Sequence, residues 1–278
     1  MKKRLAGLFL LLLMMVPAFG RAAGGKVYTS GKFVYTLRED GTAEIVQYTG
    51  KKKKLEIPRK LNGKTVTGIG TGAFYWCGFL EEVIIPDTVT SIGDEAFYSC
   101  DSLPGITIPD SVSTIEGNPF RNCLQFTAVT VSPDHPWLTT VDGVLFSRAD
   151  MRLICYPCAF TAESYTIPDG TAEIGKSAFI CCRALKEIRI PDSVTRIGDS
   201  AFELCDCLTK LTLPESVTEI GKSAFSCCWD LTEIVIPAGV TGIGENAFYG
   251  CDKLTAIVQP GSFAERYCRE NGVNWKTE

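Results

Sequence analysis

Histidine is almost missing from this chain: His135 is the only one in 278 residues. A single imidazole cannot supply a histidine metal triad, and no nucleophile is placed beside it by the sequence. Within Ser132-Pro133-Asp134-His135-Pro136 it reads as a solvated loop residue. No Gly-x-Ser-x-Gly, phosphate-binding loop or His-Glu-x-x-His occurs either, so the sequence offers no enzyme, metal or cofactor site. Long apolar runs are equally scarce. The unbroken stretch from Leu8 to Val16 is too short to cross a bilayer, which takes roughly 20 residues. No membrane span is therefore expected in the mature chain.

That stretch has another meaning. Lys2, Lys3 and Arg4 precede it and Pro17-Ala18-Phe19-Gly20 follow, the basic, apolar, small order of a secretory signal peptide. We read residues 1–23 as this leader, with cleavage after Gly20, Ala22 or Ala23. No cysteine follows closely enough for a lipid anchor. Without Lys2, Lys3 and Arg4, 25 basic side chains face 32 acidic ones, a balance that argues against nucleic-acid binding. Lys51-Lys52-Lys53-Lys54 is the one basic cluster and reads as a solvated loop.

What the chain has in abundance is repetition. Phe74, Phe97 and Phe120 are 23 residues apart, and Phe179, Phe202, Phe225 and Phe248 resume the same step. A fixed period of this length marks a solenoid, in which each coil covers its neighbour's apolar face. In Glu233-Ile234-Val235-Ile236-Pro237, alternation gives a strand with one buried face, and proline ends it. Gly244 is expected at a turn that requires positive φ, and Glu245–Cys251 at about one helical turn burying Ala247 and Phe248. Stacked coils then carry ladders of phenylalanine, isoleucine and cysteine. Glu116 in place of the turn glycine, Pro119 in place of alanine and Thr171 in place of valine mark the two loosest coils.

Segments such as Ile190-Pro191-Asp192-Ser193-Val194-Thr195-Arg196-Ile197-Gly198 and Ala201-Phe202-Glu203-Leu204-Cys205 resemble the bacterial surface-antigen (BspA-like) class of leucine-rich repeats over about residues 55–258. The resemblance implies a right-handed leucine-rich repeat solenoid with a parallel sheet on one face and short strands or helical turns opposite. It also implies protein–protein interaction at a cell surface, including adhesion to host or neighbouring-cell proteins. A structural, envelope-associated scaffold without a specific ligand is the alternative.

Outside the repeats, residues 24–54 are expected to form an N-terminal β-hairpin cap, with Phe33–Leu37 and Thr42–Val46 flanking a turn. Residues 259–278 are expected to form a C-terminal cap with a helix that starts at Ser262 and ends before Gly272. A β insert is expected at 124–166, either continuous with the solenoid or projecting as a binding lobe.

Thirteen cysteines in an exported chain would ordinarily suggest disulfides. Seven of them (77, 100, 123, 182, 205, 228 and 251) share one repeat position, where like side chains lie about 4.8 Å apart and parallel. A disulfide needs converging vectors and Cβ atoms only about 3.8 Å apart. The column therefore reads as free buried thiols. Cys155 and Cys158 have C-x-x-C spacing but follow a strand, so a local disulfide or surface thiols are expected there instead of a redox centre.

Two outward columns on the sheet form the candidate protein-binding face: Glu82, Ile84, Thr107, Thr166, Glu187, Arg189, Lys210, Thr212, Glu233 and Val235. The same alternation places Ala256 and Val258 outward in the last coil. The partner implied is an extracellular or cell-surface protein.

Overall fold

The computed structural model describes residues 26–277; the expected leader lies outside them. Strands β1 (Val27–Ser30), β2 (Phe33–Leu37) and β3 (Ala43–Tyr48) form an antiparallel meander. The last of these then pairs in parallel with Lys64–Ile69, so the cap becomes the first rung of the solenoid. Two parallel sheets follow. A broad one stacks Lys54–Glu56, Glu82–Ile84, Gly105–Thr107 and Ala128–Thr130. A narrow one continues Lys64–Ile69 with Ser91–Ile92 and Thr114–Ile115.

After Thr130 both ladders stop. Leu138–Val141, Val144–Ser147 and Arg152–Cys155 make a second antiparallel meander, and Arg152–Cys155 pairs in parallel with Glu173–Ile174. This repeats the plan of the N-terminal cap: three strands, the third of which starts a new stack. The broad face resumes as Ser164–Thr166 paired with Glu187–Arg189 and, after a break, as Lys210–Thr212 through Asn274–Thr277; the narrow sheet runs to Gly242–Ile243. The stretch 124–166 is thus part coil and part meander. Phe126 fills the position that Leu103 holds one repeat earlier, and Ala128–Thr130 pairs with Gly105–Thr107.

Two apolar cores correspond to the two stacks, one centred on Phe74, Phe97 and Phe120 and the other on Phe179, Phe202, Phe225 and Phe248. Successive rings in these columns are stacked with centroids 5.0–5.7 Å apart. Each spine begins with a tyrosine, Tyr48 against Phe74 at 5.5 Å and Tyr156 against Phe179 at 5.1 Å. The second spine ends edge-on against Tyr267 of α1 (Phe263–Asn271). Ser262 caps this helix through its hydroxyl, which accepts from the Glu265 amide, and Gly272 closes it at φ 71°.

The repeat turn differs from its sequence reading in two respects. Gly244 has no positive φ. A Cβ there would run into the Lys222 backbone nitrogen of the preceding coil, and at Gly221 and Gly198 it would meet backbone at 2.5 and 2.7 Å. Close approach of neighbouring coils, not chain reversal, demands glycine. Positive φ falls two residues later, on Ser177, Ser200, Ser223 and Asn246, and again just before each repeat cysteine, as at Leu204 and Cys227. Those left-handed residues break any helix. The segment is a run of four-residue β-turns, with the Ala247 amide bonded to the Gly244 carbonyl, Tyr249 to Asn246 and Cys251 to Phe248. In the third coil, where Glu116 replaces glycine, Gly117 takes the positive φ at 53°.

The last coil also shifts. Ile234 pairs with Ala256, one position short of a full repeat, so Ala256 and Val258 are buried and Thr255 and Ile257 occupy the outward positions. One residue fewer between Leu254 and the strand reverses every side chain.

His135 is buried, not solvated. Its Nδ1 accepts the amides of Trp137 and Leu138, so the proton sits on Nε2, which donates to the Pro109 carbonyl at 3.1 Å. The ring ties the start of the second meander to the third coil.

Candidate functional site

Each strand of the broad sheet is three or four residues long, and alternation decides what it shows to solvent. In Glu82–Ile84 and Glu187–Arg189 the middle residue is buried and its flanks are exposed. Glu82, Ile84, Thr107, Thr166, Glu187, Arg189, Lys210 and Thr212 are all exposed; Glu233 and Val235 are half-buried. Register brings Ile84 beside Thr107, Thr166 beside Arg189, Lys210 beside Glu233 and Thr212 beside Val235. Thr107 and Thr166 are not neighbours, because Ala128–Thr130 and the second meander intervene. The candidate face is therefore in two pieces.

The sequence reading omitted several members of these columns. Ala128 and Thr130 lie one full repeat after Gly105 and Thr107, so the period itself could have found them. Lys54 and Glu56 pair with Glu82 and Ile84 across a longer coil that contains the Lys60–Leu61 and Lys64–Ile69 hairpin, which hides the spacing. Lys276 belongs to a strand that follows α1 and carries no repeat signal.

Much of the charge on this face is already matched. Lys54 bonds Glu82 at 2.8 Å, and that carboxylate raises the ammonium pKa. Glu233 sits between Lys210 and Lys276, each at 3.6 Å. Exposed pairs of this kind add little to stability, because water and salt screen them. Among the described residues, no ion pair engages Glu187 or Arg189.

The sheet also opens at two places. Glu82–Ile84 and Gly105–Thr107 share a single register pair, and Glu187–Arg189 and Lys210–Thr212 share none. Elsewhere the amides of Ile57, Ile108, Ile167 and Leu213 donate to the carbonyls of Ile84, Thr130, Arg189 and Val235 in the next coil. Among the described residues, Ile85 and Ile190 make no equivalent bond. Shallow grooves result, about 630 Å³ around Glu82, Ile84, Gly105 and Thr107, and about 470 Å³ around Glu187, Arg189, Lys210 and Thr212. Both fall between the second and third broad strands of their own stack.

Behind this face the repeat cysteines are buried and free. Their thiols donate to the carbonyl of the aromatic residue one coil back: Cys123 to Phe97 and Cys205 to Phe179 at 3.0 Å, Cys228 to Phe202 at 3.1 Å and Cys251 to Phe225 at 2.9 Å. Burial pushes the Cys77 thiol up to about 12. Cys155 is buried, and Cys158 is half-buried and donates to the Cys123 carbonyl at 3.0 Å, so neither is a surface thiol and they are not joined. Burial raises Cys158 to about 12, away from thiolate chemistry at neutral pH. Among the described residues no three His, Cys, Asp or Glu side chains are placed to hold a metal ion, and no helix is long and apolar enough to cross a membrane.

Comparison with curated protein sequences gives no match. Among solved structures, the fold is similar to a leucine rich cell surface protein from Faecalibacterium prausnitzii, with 23% identity, TM-score 0.65, and 91% of this chain and 95% of that one covered. It is also similar to a leucine-rich repeat protein from Eubacterium ventriosum, with 23% identity, TM-score 0.56 and coverages of 84% and 78%. The family described as BspA type leucine rich repeat region matches residues 67–155 and 151–268 in six copies. With most of its length so matched, this chain belongs to the BspA-type leucine-rich repeat family.

Proposed function

We propose that this protein is exported and binds another extracellular or cell-surface protein on its broad sheet, in adhesion to host or neighbouring cells. The observation that carries the reading is the coincidence of the second groove with charge that has no partner. Glu187 and Arg189 line an opening where the ladder is interrupted, and neither is held by an ion pair among the described residues. Free charge beside unpaired backbone groups suits a polypeptide partner, which supplies both counter-charge and main-chain hydrogen bonds. An extended solenoid face suits such docking. Membership of the family supports an interaction role in preference to catalysis. Export rests on the leader read in residues 1–23.

The test is capture of extracellular-matrix and cell-surface proteins by the purified protein, repeated with Glu187→Ala, Arg189→Ala and Lys210→Ala together. Loss of one captured protein with unchanged thermal stability supports the reading; identical capture excludes this face. N-terminal sequencing of protein recovered from culture medium tests export and locates the cleavage.

The alternative is an envelope-associated scaffold with no specific ligand. It is favoured by the internal matching of Lys54 with Glu82 and of Glu233 with Lys210 and Lys276, which leaves those side chains little to offer a partner.

A further inference from the structure

Charge is divided unevenly along this rod. Residues 26–66 hold ten Lys and Arg against four Asp and Glu, whereas residues 67–278 hold fourteen against twenty-eight. The N-terminal end is thus strongly basic on an otherwise acidic molecule. The Lys51–Lys54 run is only part of this feature. Lys53 and Lys54 are engaged by Glu81 and Glu82, and Arg59 by Asp87. Lys32, Lys51, Lys52, Lys60 and Lys64 are exposed, and none is paired with an acidic side chain of the described residues.

The fold gathers these five lysines. Lys32 lies in the β1–β2 turn, and its carbonyl accepts the amide of Thr49, two residues before Lys51. Lys60 and Lys64 flank Asn62, whose Nδ2 donates to the Thr29 carbonyl of β1. The lysines therefore follow β1, the outermost strand of its sheet among the described residues. Like charges concentrated on so short a margin repel one another and raise the local potential, which attracts a polyanion.

We propose that this margin docks a flexible polymer of repeated phosphate groups, independently of the broad sheet. These five cations, like Lys26, whose ammonium lies over the Tyr28 ring, are all lysine, and an ammonium is a point charge that approaches a tetrahedral oxyanion from any side. A planar carboxylate would favour the arginine fork. The lysines are carried on three separate segments, the β1–β2 turn, the loop at Lys51 and Lys52, and the hairpin of Lys60–Leu61 with Lys64–Ile69, an arrangement that suits a chain able to bend between them more than a flat bilayer. The acidic body repels the same polymer, so docking is confined to this end and the solenoid is held away from it.

One competing explanation is that lysines on an edge strand only prevent edge-to-edge association. The experiment separates the two. Binding of labelled long-chain inorganic polyphosphate to the purified protein is followed as salt is raised, for the parent and for K32Q/K51Q/K52Q/K60Q/K64Q. The parent is expected to bind at low salt with a steep salt dependence; the variant should bind at least about tenfold more weakly, with a flatter slope. Circular dichroism of the variant should match the parent, since all five positions are exposed, and Lys253→Gln should leave affinity unchanged. Absence of parental binding, or variant affinity within about twofold of the parent, overturns the proposal. Self-association of the variant with undiminished polymer binding assigns the lysines to edge protection alone and also overturns it. Heparin or phosphatidylglycerol vesicles bound as tightly as polyphosphate would overturn the assignment to a phosphate polymer.

Discussion

The Cys205 thiol lies 3.0 Å from the Phe179 carbonyl and donates to it from the next coil. The pairing explains why the position is cysteine and not merely a small apolar residue. Valine would fill the space but leave the carbonyl with the Cys182 amide alone, at 3.1 Å, while the thiol fills the space and adds a second donor. Cys205→Ala is expected to cost about 1–3 kcal/mol, combining a lost weak hydrogen bond with a small cavity. Urea denaturation checks this, and a loss below about 0.5 kcal/mol would show that the bond is dispensable.

Buried thiols also make stability depend on alkali. Burial raises Cys77 and Cys158 to about 12 and Cys181 and Cys268 to about 11, against 9.0 for the free group. The folded state holds these protons more tightly than the unfolded state. Their contribution is therefore complete below pH 9 and is lost as pH rises towards 11–12. The denaturation midpoint should fall steadily above about pH 9. A flat midpoint through that window would mean the thiols are not sealed from water.

Glycine at the coil contact is a matter of space. Gly221→Ala places a Cβ 2.5 Å from the Asp199 nitrogen, a backbone atom that cannot turn aside. Destabilisation of about 3 kcal/mol or more is expected. Gly170 has φ +86° with nothing within 4 Å of an added Cβ, so Gly170→Ala should cost only about 1–2 kcal/mol of backbone strain. Thermal melts of the pair check the ranking, and the reverse order would favour turn geometry as the reason for the repeat glycine.

His135→Ala removes one acceptor from two amides and one donor from the Pro109 carbonyl. A loss of about 2–4 kcal/mol is expected, together with faster hydrogen exchange at Trp137 and Leu138. Unchanged exchange at those amides would show that the meander is held by other contacts.

Columns of like residues were legible because a constant step along the chain specifies which side chains meet. Phe202 on Phe225 and the cysteine ladder follow from spacing alone. What spacing cannot say is why a residue is required. Gly244 recurs with the period whether the need is positive φ or room for a neighbour, and only the position of the Lys222 nitrogen decides. Tyr156 lies one full step before Phe179 and the period itself could have found it, whereas Tyr48 starts the first spine from a longer coil, outside the phase of the repeat. The single-residue loss before Thr255 shifted the last coil for the same reason. On the candidate face, outward exposure was legible from alternation, but the grooves were not. They arise where two coils fail to complete a ladder, and the sequences on either side resemble those of coils that do.

Between Thr130 and Ser164, and between Ile115 and Arg152, no ladder of the described strands runs along the axis of the rod. What joins the halves there includes Lys176 with Asp94, Arg121 with Glu203, and Asn118 with the Ser177 carbonyl. A lone main-chain bond, from the Ala159 amide to the Phe126 carbonyl, and the packing of Leu138, Leu145 and Ile154 on the first core add to them, whereas within each half tension is shared by rows of main-chain bonds. Under load the molecule is expected to yield at this seam first. Extension is then expected in two stages, one for each core, instead of a smooth unzipping from an end.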